Sequence, residues 1–160
     1  MNRNHVQRYI DAFEHLSPAT LQPLEDCFAE HARFVDPFND LRGKSSIRRV
    51  FEHMFASCED PRFGVEESLV DDTVVYLRWH FSFGKAASRR RVEGVSRVQF
   101  TSDGLVSEHC DYWDPASQLY EELPVLGKLF RALRHRLAAP QPSDQETNTR
   151  FSPISKRNPT

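Results

Sequence analysis

Apolar positions recur at helical spacing through the first third of the chain, then switch to strict alternation. Val6, Tyr9, Ile10 and Phe13 sit three and four residues apart, predicting a helix from Val6 to about Leu16. Ser17 before Pro18 reads as a cap followed by a first helical position. A second helix is expected to run from there through Leu21, Leu24 and Phe28 to Glu30. The segment ARFVDP predicts a short strand. Pro37 stops it, because proline offers no ladder donor and restricts its predecessor to extended geometry. A turn at Gly43 and a cap at Ser45 or Ser46 then introduce a third helix, with Ile47, Val50, Phe51, Met54 and Phe55 on its apolar face.

Beyond this helix the period falls to two. Val75, Leu77, Trp79, Phe81 and Phe83 share one strand face, against Tyr76, Arg78, His80 and Ser82 on the other. Val92, Gly94, Ser96, Val98 and Phe100 repeat the pattern, and LVSEHCDYWD gives a third strand. The loops GKAAS and SDG are short enough for antiparallel hairpins. Helices followed by a meander describe an α+β domain, a curved mixed or antiparallel sheet packed on three N-terminal helices. We assign this domain to residues 1–117. Residues 118–138 form a separate amphipathic helix, in which leucines from Leu119 to Leu137 alternate with Lys128, Arg131, Arg134 and Arg136, with a break expected at Pro124 and Gly127. Residues 139–160 are polar and proline-rich and are expected to be a disordered tail.

Composition narrows the classes. Hydrophobic residues make up 39% of the 160 residues and the formal net charge is -2, so no basic field argues for nucleic acid. No run of about 18 apolar residues offers a membrane span. The N-terminal segment lacks a signal-peptide core, so a cytoplasmic location is expected. Cys27, Cys58 and Cys110 are scattered and form no CxxC pair, which argues against a disulfide scaffold or a zinc site. No GxSxG elbow, Gly-rich phosphate loop or HExxH occurs.

Two segments carry candidate chemistry, VDP at the end of the first strand and HCDYWD on the last. With three helices before a meander, they make the chain resemble the SnoaL-like, ketosteroid-isomerase-like branch of the nuclear-transport-factor-two-like superfamily, over roughly Asn4 to Trp113. The resemblance implies a cone whose apolar interior opens at one end, and chemistry without a cofactor. It places Asp36 where the steroid isomerases keep a proton-shuttling aspartate, and Tyr9 where they keep an oxyanion donor. Trp113 matches a pocket-wall aromatic. The second oxyanion donor would fall at Ser96, a weaker donor than a neutral carboxylic acid. Losing such a donor can cost about 3–4 kcal/mol, which weighs against true ketosteroid isomerisation. In SnoaL-like cyclases the base lies on the last strands, so Asp111, with His109 on the same face, rivals Asp36. The limonene-epoxide-hydrolase arrangement is disfavoured, because Arg97 points away from the inward face.

Each of these residues also has a plainer reading. Asp36 before Pro37 suits a turn, Tyr9 suits a core, and His109 and Asp111 suit pairing with a backbone carbonyl and an arginine. A metal held by His109, Asp111 and Asp36 would need a further good ligand. Trp79, Phe81, Phe51 and Met54 are expected to line the pocket together with Ser96 and Trp113, implying an apolar ligand. The sequence therefore predicts a small apolar partner and cofactor-free isomerisation, cyclisation or dehydration. The alternative is a non-catalytic binding or homodimerising module, whose basic helix at Leu126 to Leu137 docks a protein or a membrane surface.

Overall fold

The computed structural model describes residues 3–122 and 126–138. The expected residues 139–160 tail and the break at Pro124 lie outside the described residues. Helix α1 (Arg3–Glu14) buries Val6, Tyr9, Ile10 and Phe13, the same stripe that the spacing marks. A 3-10 turn at Pro18–Thr20 leads into α2, which is short (Leu21–Glu25). The expected extension of this helix to Glu30 does not form. Phe28 instead opens strand β1 (Phe28–Val35), whose buried Phe28, Ala32 and Phe34 have partners in the sheet that a longer helix would forfeit.

Strand β2 (Asp40–Arg42) folds back on β1, and Arg33 grips Asp40 with two parallel contacts of 2.9 and 2.7 Å. Helix α3 (Lys44–Ser57) starts at Gly43, whose φ of +88° is a conformation that favours glycine. Four long strands follow: β3 (Arg62–Asp71), β4 (Val74–Phe83), β5 (Arg90–Phe100) and β6 (Val106–Tyr112). Short helix α4 (Pro115–Gln118) and a 3-10 turn at Tyr120–Glu122 precede α5 (Leu126–Leu137). Gly127 lies within α5 and does not break it.

The sheet order is β2-β1-β6-β5-β4-β3. All neighbours are antiparallel except β1 and β6, which run parallel. The sheet is curved and does not close, and α1, α2 and α3 cover its inner face to complete a cone. Pleating sends Phe34, Val75, Leu77, Ser96, Val98 and His109 inward, and all of them are buried. Tyr9, Phe13, Phe28, Phe51 and Phe100 pack edge to face around them. Each such aromatic contributes about 1.5–3 kcal/mol through burial. The residues of β4, β5 and β6 that alternate with these form the outer face, where Tyr76, Val95 and Tyr112 are exposed.

Candidate functional site

A cavity of about 290 Å³ opens between α3 and the inner face of the sheet. This lies near the lower end of ligand sites, which run from about 300 to 1,000 Å³. Its wall is mostly apolar, with Phe13, Phe51, Met54, Phe81, Trp79 and Trp113 prominent among the lining side chains. A larger depression of about 740 Å³ beside α1 is open and rimmed by Gln7, Arg8, Asp11, His15 and Asp26. Open to solvent and rimmed by charged groups, it offers little means of enclosing an apolar molecule.

Asp111 lines the cavity and terminates a buried relay. The Tyr9 hydroxyl donates to His109 Nδ1 at 2.7 Å, which leaves the imidazole proton on Nε2. That Nε2–H donates to Asp111 Oδ1 at 2.8 Å. The Ser96 hydroxyl donates to the same oxygen, and the Trp79 indole N–H donates to Ser96 Oγ at 2.7 Å. Two donors thus fix Oδ1, while the Asp111 side chain forms part of the cavity wall. The relay is assembled by the fold. Ser96 and Asp111 are directly paired across β5 and β6, Leu77 faces Ser96 from β4, and Tyr9 comes from α1.

Packing holds the imidazole in place. Its ring stacks on Phe34 at 4.8 Å and 11° and on Phe13 at 5.8 Å and 20°. Burial, with the Asp111 carboxylate adding to it, holds the Tyr9 hydroxyl well above the usual tyrosine range, so it acts here only as a neutral donor. Gly94 makes room for Trp79, because a Cβ there would lie 2.6 Å from the indole Cζ2. The indole, bonded to Ser96, forms part of the cavity wall.

Trp79, Trp113, Phe51, Met54 and Phe81 line the cavity, whereas Ser96 lies buried behind Trp79. Asp111 and Asp36 both reach the cavity, but in different states. The Asp36 carboxylate is absorbed by its own turn. Its Oδ1 accepts from the backbone N–H groups of Phe38 and Asn39, each at 2.7 Å, and both oxygens accept from Asn39 Nδ2. Tyr9 and His109 do not line the cavity; they stand behind Phe13 and Phe34. Arg97 lies on the outer face and pairs with Glu108 at 3.0 Å. Sequence reasoning gave no role to Gly94 or to Asn39, and only the adjacency of Asn39 to the VDP turn hinted at its part. Among the described residues, no group of three or more His, Cys, Asp or Glu side chains is placed to hold a metal ion. No helix among them is long and apolar enough to cross a membrane.

A six-stranded open cone with an apolar interior is the ketosteroid-isomerase-like, NTF2-like class of fold, and solved structures share it. A candidate ketosteroid isomerase from Kribbella flavida is 21% identical, with a TM-score of 0.58 over 89% of this chain and 90% of its own. A candidate polyketide cyclase from Xanthomonas campestris pv. campestris is 14% identical, with a TM-score of 0.58 over 72% and 91%. A Mycobacterium tuberculosis protein in complex with estradiol-17β-hemisuccinate is 11% identical, with a TM-score of 0.57 over 70% and 92%. No curated protein sequence matches the chain. The sequence profile of the SnoaL-like domain matches residues 6–109, and the chain belongs to that family.

Proposed function

We propose that the chain binds a small apolar molecule in the cone cavity and removes an activated proton from it, with Asp111 as the base. The observation that carries this reading is the Asp111 carboxylate, which lines an apolar cavity while one of its oxygens is fixed by His109 and Ser96. A lipid-, terpenoid- or polyketide-like carbonyl compound fits such a wall. Asp111 Oδ2 takes the proton next to the carbonyl and an enolate forms, the step shared by isomerisation, aldol-type cyclisation and some dehydrations. The protonated Asp111 then returns the proton to a different carbon. Trp113 follows two residues after Asp111 and lines the same cavity, and its indole N–H supplies a donor for the substrate oxygen. Fixing Oδ1 in advance spares the carboxylate reorientation as the proton moves.

Tyr9 and His109 serve as positioning residues in this scheme, since neither reaches the cavity. Asp36 shapes the rim. No cofactor takes part. The named activities of structural neighbours, ketosteroid isomerase and polyketide cyclase, belong to the same class of carbon-acid chemistry.

Thermal-shift screening of apolar carbonyl compounds tests the reading. A ligand that stabilises the wild type but is not turned over leaves a binding module in place of an enzyme, and turnover that survives Asp111→Asn removes Asp111 as the base. The outer sheet face supports one further assignment, a homodimer. Leu69, Tyr76, Val95 and Tyr112 are exposed there beside Arg78, Arg97 and Glu67, a mixture that a second copy can match. Sedimentation of Tyr76→Glu/Tyr112→Glu against wild type decides it; a monomeric wild type removes the assignment.

A further inference from the structure

Helix α5 carries a leucine ridge that the rest of the described chain leaves uncovered. Leu129, Leu133 and Leu137 stand four residues apart along one side and are 65%, 52% and 78% exposed. The helix is held to the domain by a different side. Gly127 is buried against the Glu121 backbone, and the Phe130 ring meets Tyr120 at 5.8 Å. Arg134 reaches the Glu121 carboxylate at 3.0 Å, and Arg131 donates to the Glu121 carbonyl oxygen. Docking therefore uses the glycine–phenylalanine–arginine side and turns the leucines outward.

Charge indicates what covers them. From Leu126 to Leu137 the helix contains Lys128, Arg131, Arg134 and Arg136 and no Asp or Glu. Lys128 and Arg136 take no part in the contacts with Glu121. A partner protein's groove could accept three leucines, but nothing in a leucine ridge demands that the partner be anionic. A flat anionic leaflet satisfies both features at once, taking leucines into the headgroup boundary while cations pair with phosphates. We propose that α5 docks the protein in the plane of an anionic lipid surface, with Leu129, Leu133 and Leu137 inserted and Lys128 and Arg136 at the phosphate level.

The placement has a consequence for the cavity. Leu119 lines it, and the next residue, Tyr120, is the ring on which Phe130 packs. A leaflet bound by the leucine side of α5 is thus coupled, through the helix and Tyr120, to the segment that walls the cavity. The apolar ligand of the cavity would then be drawn from that leaflet. This consequence rests on the cavity reading above, whereas the docking itself does not.

Flotation of the full chain with vesicles is the test. One set is phosphatidylcholine alone and the other an equal mixture with phosphatidylglycerol. Binding is expected on the mixed vesicles, weakening as salt rises, and little is expected on the neutral ones. Lys128→Gln/Arg136→Gln should lower the partition coefficient about 30-fold, roughly fivefold for each cation brought near an anionic leaflet. Leu129→Glu/Leu133→Glu should abolish binding while circular dichroism and thermal unfolding stay as in wild type, since both leucines are exposed. Binding to neither vesicle, or binding undiminished by the leucine pair, overturns the proposal. So does sedimentation in which the leucine pair splits a dimer that does not float with lipid, which would make a second copy the occupant. Because flotation reads no ligand and no turnover, failure of the cavity reading would leave its result unchanged.

Discussion

His109 Nε2 stands 2.8 Å from Asp111 Oδ1, two residues further along the same strand. Side chains at this spacing share a face but do not normally meet. They do here because the imidazole is clamped between Phe13 and Phe34 and turned by the Tyr9 hydroxyl. Replacing His109 by Phe keeps a ring in that stack and removes both hydrogen bonds. Leaving two buried groups without this partner should lower stability by about 2–4 kcal/mol, read as a reduced urea midpoint at unchanged slope.

Tyr9→Phe removes one of those bonds and should cost about 1–3 kcal/mol. The same residue sets an alkaline limit. Folding raises its pKa above the unfolded value, so the folded chain keeps a proton that the unfolded chain releases. Its contribution is fully present below about pH 10 and is lost as pH climbs beyond it. In wild type, tyrosinate absorbance should show one of the four tyrosines resisting titration until the chain unfolds. In Tyr9→Phe that delayed step should be missing.

Gly94→Ala should strain the cavity wall. The added methyl would sit 2.6 and 2.8 Å from atoms of the Trp79 indole and 3.0 Å from Trp113 Cβ. Trp79 must shift, and its bond to Ser96 loosens. We expect a loss of about 1–3 kcal/mol and a change in the fluorescence of the two tryptophans.

Asp36→Ala separates the rival carboxylates. Losing the turn bonds to Phe38 and Asn39 should cost about 1–2 kcal/mol, measured by thermal unfolding, with the proton chemistry of the cavity retained.

Much of this was legible before folding. The helical stripe of α1 and the alternation of β4, β5 and β6 follow from burial on one side, and that alternation already put His109, Asp111 and Trp113 on one face. Strand β3 escaped notice because most of it is exposed on both faces at the sheet edge, so no alternation marks it. Strand β2 is three residues long, too short for a period. The early end of α2 is a tertiary effect, since Phe28 suits a helical stripe equally well and only its sheet partners decide. The link between Tyr9 and His109 spans 100 residues and depends on how α1 crosses the sheet. The capture of Asp36 by its own turn is the plainer reading that Asp36 before Pro37 already offered, whereas the second grip from the Asn39 side chain was not marked by the pattern.

Proton exchange measures the central assignment without knowledge of the product. Apolar ketones and enones that stabilise the protein are incubated with it in D2O, and loss of the proton next to the carbonyl is followed by NMR. Wild type and Asp36→Ala should catalyse exchange at similar rates, while Asp111→Asn should slow it at least about 100-fold, the scale of a positioned general base. Exchange that persists in Asp111→Asn, or is lost in a folded Asp36→Ala, would contradict the assignment of the base to Asp111.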